Sequence, residues 1–246
     1  KKDIRSYEDV FKAVKDKDII INCAASTSHY ISMIKPKENL DVNVQGTLNI
    51  LESIKNSKKD IKFIQLSTST QLGKLTNSKA DETHSEYPTD LYSANKMLSE
   101  KYTLIYANYY SLNATVLRLG NVYGPRAAIN SPYFTFNNYF IGQALQNKNI
   151  LIYKPGFQKR NLIFIDDVVE AVKCTIQNNQ TSKKIFFVVA NNHYSVLQIA
   201  KKICEIMGGK VSLIDWPANR KKIEIGDSIL NNNKFRSLTK WSPKIN

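Results

Sequence analysis

The sequence predicts an α/β protein built on a doubly wound parallel sheet, with a smaller lobe in its C-terminal half. Two observations predict the sheet: helical and extended patterns alternate along the chain, and the extended segments are largely apolar. Strands that alternate with helices pair in parallel and are covered by helices on both faces. Beyond residue 123 the pattern becomes looser and more mixed, which predicts the second lobe.

Three strands and two helices make up the first part of this pattern. Residues 18–24 (DIIINCA) form a continuous apolar run, which is typical of a strand buried on both faces. Residues 62–66 (KFIQL) and 114–119 (ATVLRL) are the next two strands. Helices are predicted over 36–56 and 90–110, because apolar residues recur there at helical spacing.

The second half of the chain contains shorter elements of both kinds. Helices are predicted over 134–146, 167–178 and 196–207. Short strands are predicted between them, over 150–153, 162–165, 185–189 and 211–214. We expect this mixture to form a lobe over the C-terminal edge of the sheet, where such folds bind ligands.

The composition narrows the classes of partner. The formal net charge is +14, but the lysines are scattered along helices and form no single stripe with aromatic residues. A solvated basic surface is therefore expected, and nucleic-acid binding is not. Such a surface would still attract an anionic small substrate. No segment reaches the roughly 18 apolar residues of a membrane span, so no membrane partner is expected.

Cysteine and histidine usage predicts the compartment. Cys23, Cys174 and Cys204 cannot pair completely, and no charged-then-apolar leader opens the chain. Both features favour a cytoplasmic protein in a reducing compartment.

The three histidines are widely spaced, so no metal site is expected.

Tyr92 and Lys96 form a YxxxK pair within the predicted helix 90–110. Positions i and i+4 share one helix face, so the ammonium group is expected near the phenol. A nearby cation favours the phenolate and lowers the pKa of the tyrosine, as a general acid and base at neutral pH requires. The same spacing also arises by chance on exposed helices, so the surrounding sequence has to decide.

A run of hydroxyl side chains and a sharp loop follow two predicted strands. Strand 62–66 leads into the run STST at 67–70. A hydroxyl there, such as that of Thr68, could bind the same substrate oxygen as Tyr92; the alternative is ordinary turn chemistry. The segment LRLGNVYGPR at 117–126 predicts a buried strand that breaks into a loop facing the cleft.

One basic residue and two acidic residues flank the predicted strand 162–165. Arg160 precedes this strand, and a guanidinium group suits bidentate binding of phosphate. Asp166 or Asp167 is expected to cap the helix that follows.

These motifs occur together, in order, and they resemble the extended short-chain dehydrogenases/reductases. The resemblance is to the NAD-dependent sugar-nucleotide epimerases and dehydratases, of the UDP-glucose 4-epimerase-like kind. It rests on Ala24–Ala25, NVQGT at 43–47, Ser67–Thr68, the YxxxK pair, RLGNVYGP at 118–125, KRNLIFIDDVVEA at 159–171 and KWSP at 240–243. It covers nearly the whole chain.

The resemblance implies a Rossmann-like domain and a set of site residues. Residues 1–130, with 161–178 returning to them, would form the remainder of the dinucleotide-binding domain, and 131–246 mainly a substrate-binding lobe. The implied cofactor is NAD, bound by Asp3, Ile4, Ala24, Ala25, Asn43, Ser67, Tyr92 and Lys96. The implied catalytic residues are Thr68, Tyr92 and Lys96, and the implied substrate ligands are Asn121, Arg160 and Arg220.

One departure from this family concerns the glycine-rich loop. The chain contains no GxGxxG motif. The resemblance therefore implies that the N-terminal part of the fold, including the loop that cradles the pyrophosphate, is missing before Lys1. The acidic residue that selects NAD over NADP would be missing with it. Strand 18–24 is then expected to become an open edge of the sheet.

The residues after Thr68 decide which reaction the resemblance implies. Family dehydratases carry an acidic pair there for elimination, and family decarboxylases need a nearby acid, whereas this chain has Ser69 and Thr70. We therefore expect 4-epimerisation of a nucleotide-diphosphate sugar, of the UDP-glucose/UDP-galactose type, through a transient 4-keto intermediate. A homodimer is expected through the helices that contain 43–54 and 92–106.

Two other functions stay open from the sequence. RLGN at 118–121 and NCAAS at 22–26 also resemble NAD(P)H-dependent thioester or carbonyl reductases of the same superfamily. A non-catalytic nucleotide-sensing or scaffold protein is the third candidate. The intact set of Thr68, Tyr92 and Lys96 argues against it, because a sensor needs no proton-transfer group.

Overall fold

The computed structural model describes residues 2–245. Its strands are β1 (Ile19–Asn22), β2 (Lys62–Thr68), β3 (Ala114–Leu119), β4 (Asn121–Tyr123), β5 (Ile150–Tyr153), β6 (Lys159–Arg160), β7 (Leu162–Phe164), β8 (Lys184–Val188), β9 (Tyr194–Ser195) and β10 (Val211–Ile214). Its α-helices are α1 (Tyr7–Val14), α2 (His29–Ile34), α3 (Pro36–Leu40), α4 (Gly46–Ser57), α5 (Leu91–Tyr109), α6 (Phe136–Leu145), α7 (Ile165–Gln177), α8 (Val196–Met207), α9 (Ala218–Lys222) and α10 (Asn233–Thr239).

The main sheet has four strands in the order β1-β2-β3-β8, and all of its pairs are parallel. Ser67 pairs with Arg118 and Thr68 with Leu119, so β2 and β3 end side by side. Helices cover both faces, as the doubly wound prediction requires. One core cluster combines β2, β3 and β8 with α7 and α10, and a second combines β2 and β3 with α1, α4 and α5.

Strand β1 lies at one edge of this sheet. Ile19 and Ile21 lie on the same face of β1 and are 41% and 40% exposed. The prediction that this strand is buried on both faces is therefore wrong for residues 2–245. The prediction of an open edge is confirmed.

The predicted helix 36–56 is interrupted in the structure. Between α3 and α4 the chain makes a π-helical turn, Asp41–Gln45. Gly46 follows this turn under the side chain of Ile4, where a Cβ atom would lie 2.8 Å from Ile4 Cγ2. Single π turns inside helices often occur at functional sites because they redirect side chains. Here the turn carries Asn43.

A second group of elements follows β4. Strands β5 and β10 form a parallel pair, and α6 and α8 pack with them around Phe140, Ile150, Ile152 and Ala200. Among the helices of residues 2–245, none is long and apolar enough to cross a membrane.

The acidic residues at the start of α7 do not cap that helix. Its N-cap position is Phe164, with no side-chain hydrogen bond. The carboxylate of Asp167 instead accepts hydrogen bonds from the backbone N–H groups of Lys244 and Ile245, at 2.8 and 3.0 Å. The capping prediction is wrong because this carboxylate binds the C-terminal segment.

Candidate active site

The site lies where β2 ends against the first turns of α5. Asp90 caps α5 by accepting a hydrogen bond from Ser93 N at 2.9 Å. The N–H group of Tyr92 donates to Ser32 Oγ of α2 at 3.0 Å. These two bonds satisfy backbone groups that a helix start leaves unpaired, and they fix the position of Tyr92.

Tyr92 and Thr68 meet at this point, as the sequence predicts. Tyr92 is 9% exposed. Burial raises the pKa of Tyr92 to about 12; a hydrogen bond with Thr68 acts in the opposite direction, and the charge of Asp90 adds to the increase. In the structure, the phenol is therefore protonated at neutral pH.

Lys96 lies on the same helix but does not set the pKa of Tyr92. Its Nζ donates to the carbonyl oxygen of Leu66 at 2.6 Å. Burial lowers the pKa of Lys96 to about 8, while the charges of Glu100 and Cys23 oppose the decrease. The expectation that Lys96 lowers the pKa of Tyr92 is wrong in this structure, because the Lys96 ammonium is bound to β2 and burial of the phenol prevails.

The loop after β1 brings small side chains to the same sheet edge. Ala24 is exposed and Ala25 is half-buried, so little bulk covers the end of β1. Asn43 holds this loop from the π-helical turn. Its Oδ1 accepts from Ser26 N and its Nδ2 donates to Ser26 O, both at 3.0 Å. Ser67 is buried and donates to Gln71 Oε1 at 3.2 Å.

The structure places Asp3 and Ile4 beside α4. Arg5 binds the Asp3 carboxylate, with Nη2 at 2.6 Å from Oδ2, and hydrogen bonds from Arg5 lower the pKa of Asp3 to about 2. Both side chains are about half exposed. Ile4 packs against the cluster that contains α1 and α4. A ligand that binds Asp3 would share its carboxylate with Arg5.

The three predicted substrate ligands lie on different elements. Asn121 begins β4, is half-buried, and donates its N–H to Asn161 O at 2.9 Å. Arg160 on β6 pairs with Glu224, with Nη2 2.7 Å from Oε1. Its Nη1 also donates to the carbonyl of Gly226. Arg160 is therefore engaged within the protein, and a phosphate would have to compete with Glu224.

Arg220 on α9 reaches the side of the site formed by α2. Its guanidinium lies over the ring of Tyr30, 4.7 Å from the centroid, and 5.9 Å from that of Tyr133. The two rings are stacked, with centroids 5.9 Å apart. Tyr30 follows His29, whose ring contacts Tyr92 edge-on. The structure thus brings Arg220 towards the Tyr92 side of the cleft.

Sequence reasoning missed the contacts that link Thr68 to further polar residues behind Tyr92. Thr68 Oγ1 lies 3.0 Å from Thr70 Oγ1, which lies 2.9 Å from Ser93 Oγ. We call these three residues the hydroxyl chain. Ser93 donates to Asp90 Oδ2 at 3.0 Å, and His29 Nδ1 lies 2.8 Å from the same oxygen. The N-cap position of Asp90 was a sequence signal; His29, 61 residues away, had none.

A buried tyrosine beside a strand-end hydroxyl can move a proton to or from an oxygen on a ligand carbon. The exposed end of β1 and the amine of Lys96 lie at the same sheet edge. This combination suits the oxidation or reduction of an alcohol next to a bound dinucleotide.

Comparisons with known proteins agree with this geometry. A model of the NAD dependent epimerase/dehydratase family matches residues 1–190. The dTDP-D-glucose 4,6-dehydratase of Bos taurus is 30% identical over 190 residues, which cover 77% of this chain and 52% of that protein. The UDP-N-acetyl-alpha-D-glucosaminuronate decarboxylase of Bacillus cytotoxicus is 29% identical over 209 residues, which cover 83% and 64%. The chain spans about half the length of the dehydratase.

A solved structure extends the similarity to the whole fold. The UDP-glucose 4-epimerase of Thermotoga maritima, determined with UDP-glucose, has a TM-score of 0.90 at 26% identity. The similarity covers 100% of this chain and 79% of that one. Since the family model matches well over half of the sequence, the chain belongs to the NAD dependent epimerase/dehydratase family.

Proposed function

We propose that the protein epimerises C4 of a nucleotide-diphosphate sugar, of the UDP-glucose/UDP-galactose type, through a transient 4-keto intermediate. The observation that carries this proposal is the pairing of Tyr92 with Thr68 at the end of β2, followed by Ser69 and Thr70. These two residues carry hydroxyls where elimination chemistry needs an acid and a base. Thr70 is moreover held by hydrogen bonds to Thr68 and Ser93.

The residues present fit NAD at the nicotinamide end. Ala24 leaves the strand end open, Asn43 fixes the loop beside it, and Lys96 would hold the ribose hydroxyls. To bind Asp3, NAD would have to share its carboxylate with Arg5, which already binds it. When bound, NAD supplies the acceptor and donor of hydride, and its oxidised form adds a positive charge that favours a nearby phenolate.

The proposed mechanism assigns one task to each catalytic side chain. Tyr92, as phenolate, removes the proton from the C4 hydroxyl and returns it after the 4-keto sugar has turned over. Thr68 hydrogen-bonds the C4 oxygen. Rotation of the 4-keto sugar within the site requires a firmly held diphosphate and a loosely held pyranose. Arg160 and Arg220 are the proposed diphosphate ligands.

The experiment that tests this proposal is replacement of Tyr92 by Phe. We expect Tyr92→Phe to abolish turnover while nucleotide binding is retained, because only the proton-transfer group is removed. Tyr102→Phe is the matched control, since Tyr102 lies further along α5 and packs in the core. Retained epimerase activity in Tyr92→Phe would contradict the assignment.

Bound nucleotide offers a second test, against the reductase alternative. An epimerase regenerates its cofactor in every turnover and tends to retain it, whereas a reductase must exchange it. We expect near-stoichiometric NAD to be released when the purified protein is denatured. Protein that carries no nucleotide and oxidises added NADPH with a thioester or carbonyl substrate would favour the reductase.

The homodimer is proposed through α4 and α5. On α5, Leu98, Ile105 and Tyr109 are 36%, 56% and 80% exposed, which leaves an apolar surface available for a second copy. Sedimentation should show a dimer, and Ile105→Lys should weaken it.

A further inference from the structure

A continuous hydrogen-bonded path leads from Tyr92 to the protein surface. Tyr92 hydrogen-bonds Thr68, and the path runs through the hydroxyl chain to Asp90 and then to His29 Nδ1. The side chain of Asp90 is 2% exposed, whereas that of His29 is 41% exposed. The His29 ring also lies edge-on to Tyr92, with ring centroids 4.9 Å apart. The path therefore joins a buried phenol to an imidazole in contact with solvent.

The Asp90 carboxylate fixes the direction of each bond on this path. Burial acts to raise the pKa of Asp90, but hydrogen bonds from the imidazole and from Ser93 outweigh it and lower the pKa. Asp90 is therefore ionised and can only accept. Ser93 donates its single proton to Asp90, so Thr70 must donate to Ser93. Thr68 in turn donates to Thr70, which leaves its oxygen to accept from Tyr92.

We propose that His29 is the exit of a proton relay through which Tyr92 loses its proton. The proposal rests on the role of Tyr92 as the base proposed above. The phenol O–H bond breaks as Thr68 takes the proton, and each hydroxyl passes its own proton along until Asp90 is protonated. The His29 ring first moves its hydrogen from Nδ1 to Nε2 by exchange with water. Asp90 then protonates Nδ1, and Nε2 releases a proton to water, which restores the tautomer that donates to Asp90.

The transfer leaves a phenolate, a carboxylate and a neutral imidazole, and one proton has reached solvent. Each hydroxyl of the chain now carries the proton it received and points back along the path. Thr68 therefore donates to the Tyr92 phenolate after the transfer, whereas it accepted from the phenol before. The same chain thus removes the proton and stabilises the product.

Other titratable groups around Tyr92 are not placed to carry its proton. Lys96 on the same helix donates to a backbone carbonyl of β2. Burial raises the pKa of the Cys23 thiol, against the charge of Lys96. Asp90 and His29 face Tyr92 from the start of α5 and from α2.

The test measures how fast the Tyr92 hydroxyl exchanges its proton with water. In mixed H₂O and D₂O, carbon-13 at the tyrosine Cζ gives separate NMR signals for the O–H and O–D forms when exchange is slow. Tyr92→Phe assigns the signal. Thr70→Val breaks the hydroxyl chain without removing a contact of Tyr92. Thr89→Val is the matched control, because the Thr89 hydroxyl donates to the Ile223 carbonyl at 3.1 Å, outside the path.

We expect exchange to slow by roughly a hundredfold in Thr70→Val, the effect typical of a positioned proton-transfer group, and to keep its normal rate in Thr89→Val. His29→Ala should slow exchange as well, and free imidazole should restore it. Unchanged exchange in both Thr70→Val and His29→Ala would overturn the relay. The measurement needs neither cofactor nor sugar, so a relay found in a protein without epimerase activity would overturn the proposed function alone.

Discussion

The environment of His193 predicts that the free energy of unfolding falls in acid. Its Nε2 faces two donors, the N–H of Leu230 at 2.9 Å and the amide of Asn161 at 3.2 Å. Since Nε2 must accept from the Leu230 N–H, the ring is neutral in the folded protein. Burial lowers the pKa of His193 from 6.5 to about 4, with smaller contributions from the charges of Lys79 and Lys159.

The sign and size of the effect follow from this pKa. Between pH 6.5 and about 4 the unfolded chain binds a proton at this histidine and the folded protein does not, so the free energy of unfolding falls as the pH falls through that window. One pKa unit is worth about 1.4 kcal/mol, and because the ring is only partly buried, solvent screening reduces the full loss to roughly 1–2 kcal/mol. Above pH 6.5 this contribution is fully present.

The perturbation that isolates this contribution is His193→Gln. A glutamine oxygen can still accept from Leu230 and does not titrate. Urea unfolding at several pH values should show a smaller loss of stability in the variant than in the wild type, by roughly 1–2 kcal/mol across the window. Carboxyl groups that titrate in the same range affect both proteins equally. If both lose stability in parallel, the protonated ring is tolerated in the folded state and the reasoning is refuted.

Three further substitutions test buried contacts by urea unfolding at neutral pH. Gly120→Ala should destabilise the protein by about 1–3 kcal/mol, because its Cβ would lie 2.8 Å from Asn161 Oδ1; an unchanged midpoint would show that this side chain moves freely. Lys62→Met should cost about 2 kcal/mol, since Lys62 Nζ donates to carbonyls at the end of α7 and just beyond it, at 3.0 and 3.2 Å. Arg118→Met should cost about 3–5 kcal/mol by leaving Glu100 buried without its cation, and adding Glu100→Gln should restore part of that loss; a double variant no more stable than the single one would contradict the pairing.

The sequence predicts best where the local pattern and the tertiary packing agree. The strands at 150–153 and 211–214 and the helix at 196–207 have the predicted bounds. The break in the helix predicted over 36–56 could not be predicted, because its apolar residues keep helical spacing through the turn. The short helices α1 and α2 have too few residues for a periodic signal.

The candidate site also has one part that local sequence predicts and one part that depends on tertiary packing. Tyr92 and Lys96 share one helix and Thr68 ends a strand, so their placement follows from local spacing. The pKa of Tyr92 depends on burial by segments far apart in sequence, and the expected effect of Lys96 was wrong for that reason. His29 approaches Asp90 only through the packing of α2 on α5, which local sequence does not encode.

Two contacts depend on the helices around the π-helical turn at Asp41–Gln45: the hydrogen bonds of Asn43 to Ser26, and the packing of the apolar face of α4 in the core. In a regular helix these two contacts could not change independently. A residue added to or removed from an α-helix rotates everything beyond it by about 100°. A π turn absorbs its extra residue locally, so removal of one residue would restore regular helix and move Asn43 relative to Ser26, while Leu51 and Ile54 of α4 kept their place in the core. The geometry of the loop at the end of β1 can therefore change through the length of this turn, without any change in the apolar face that anchors α4.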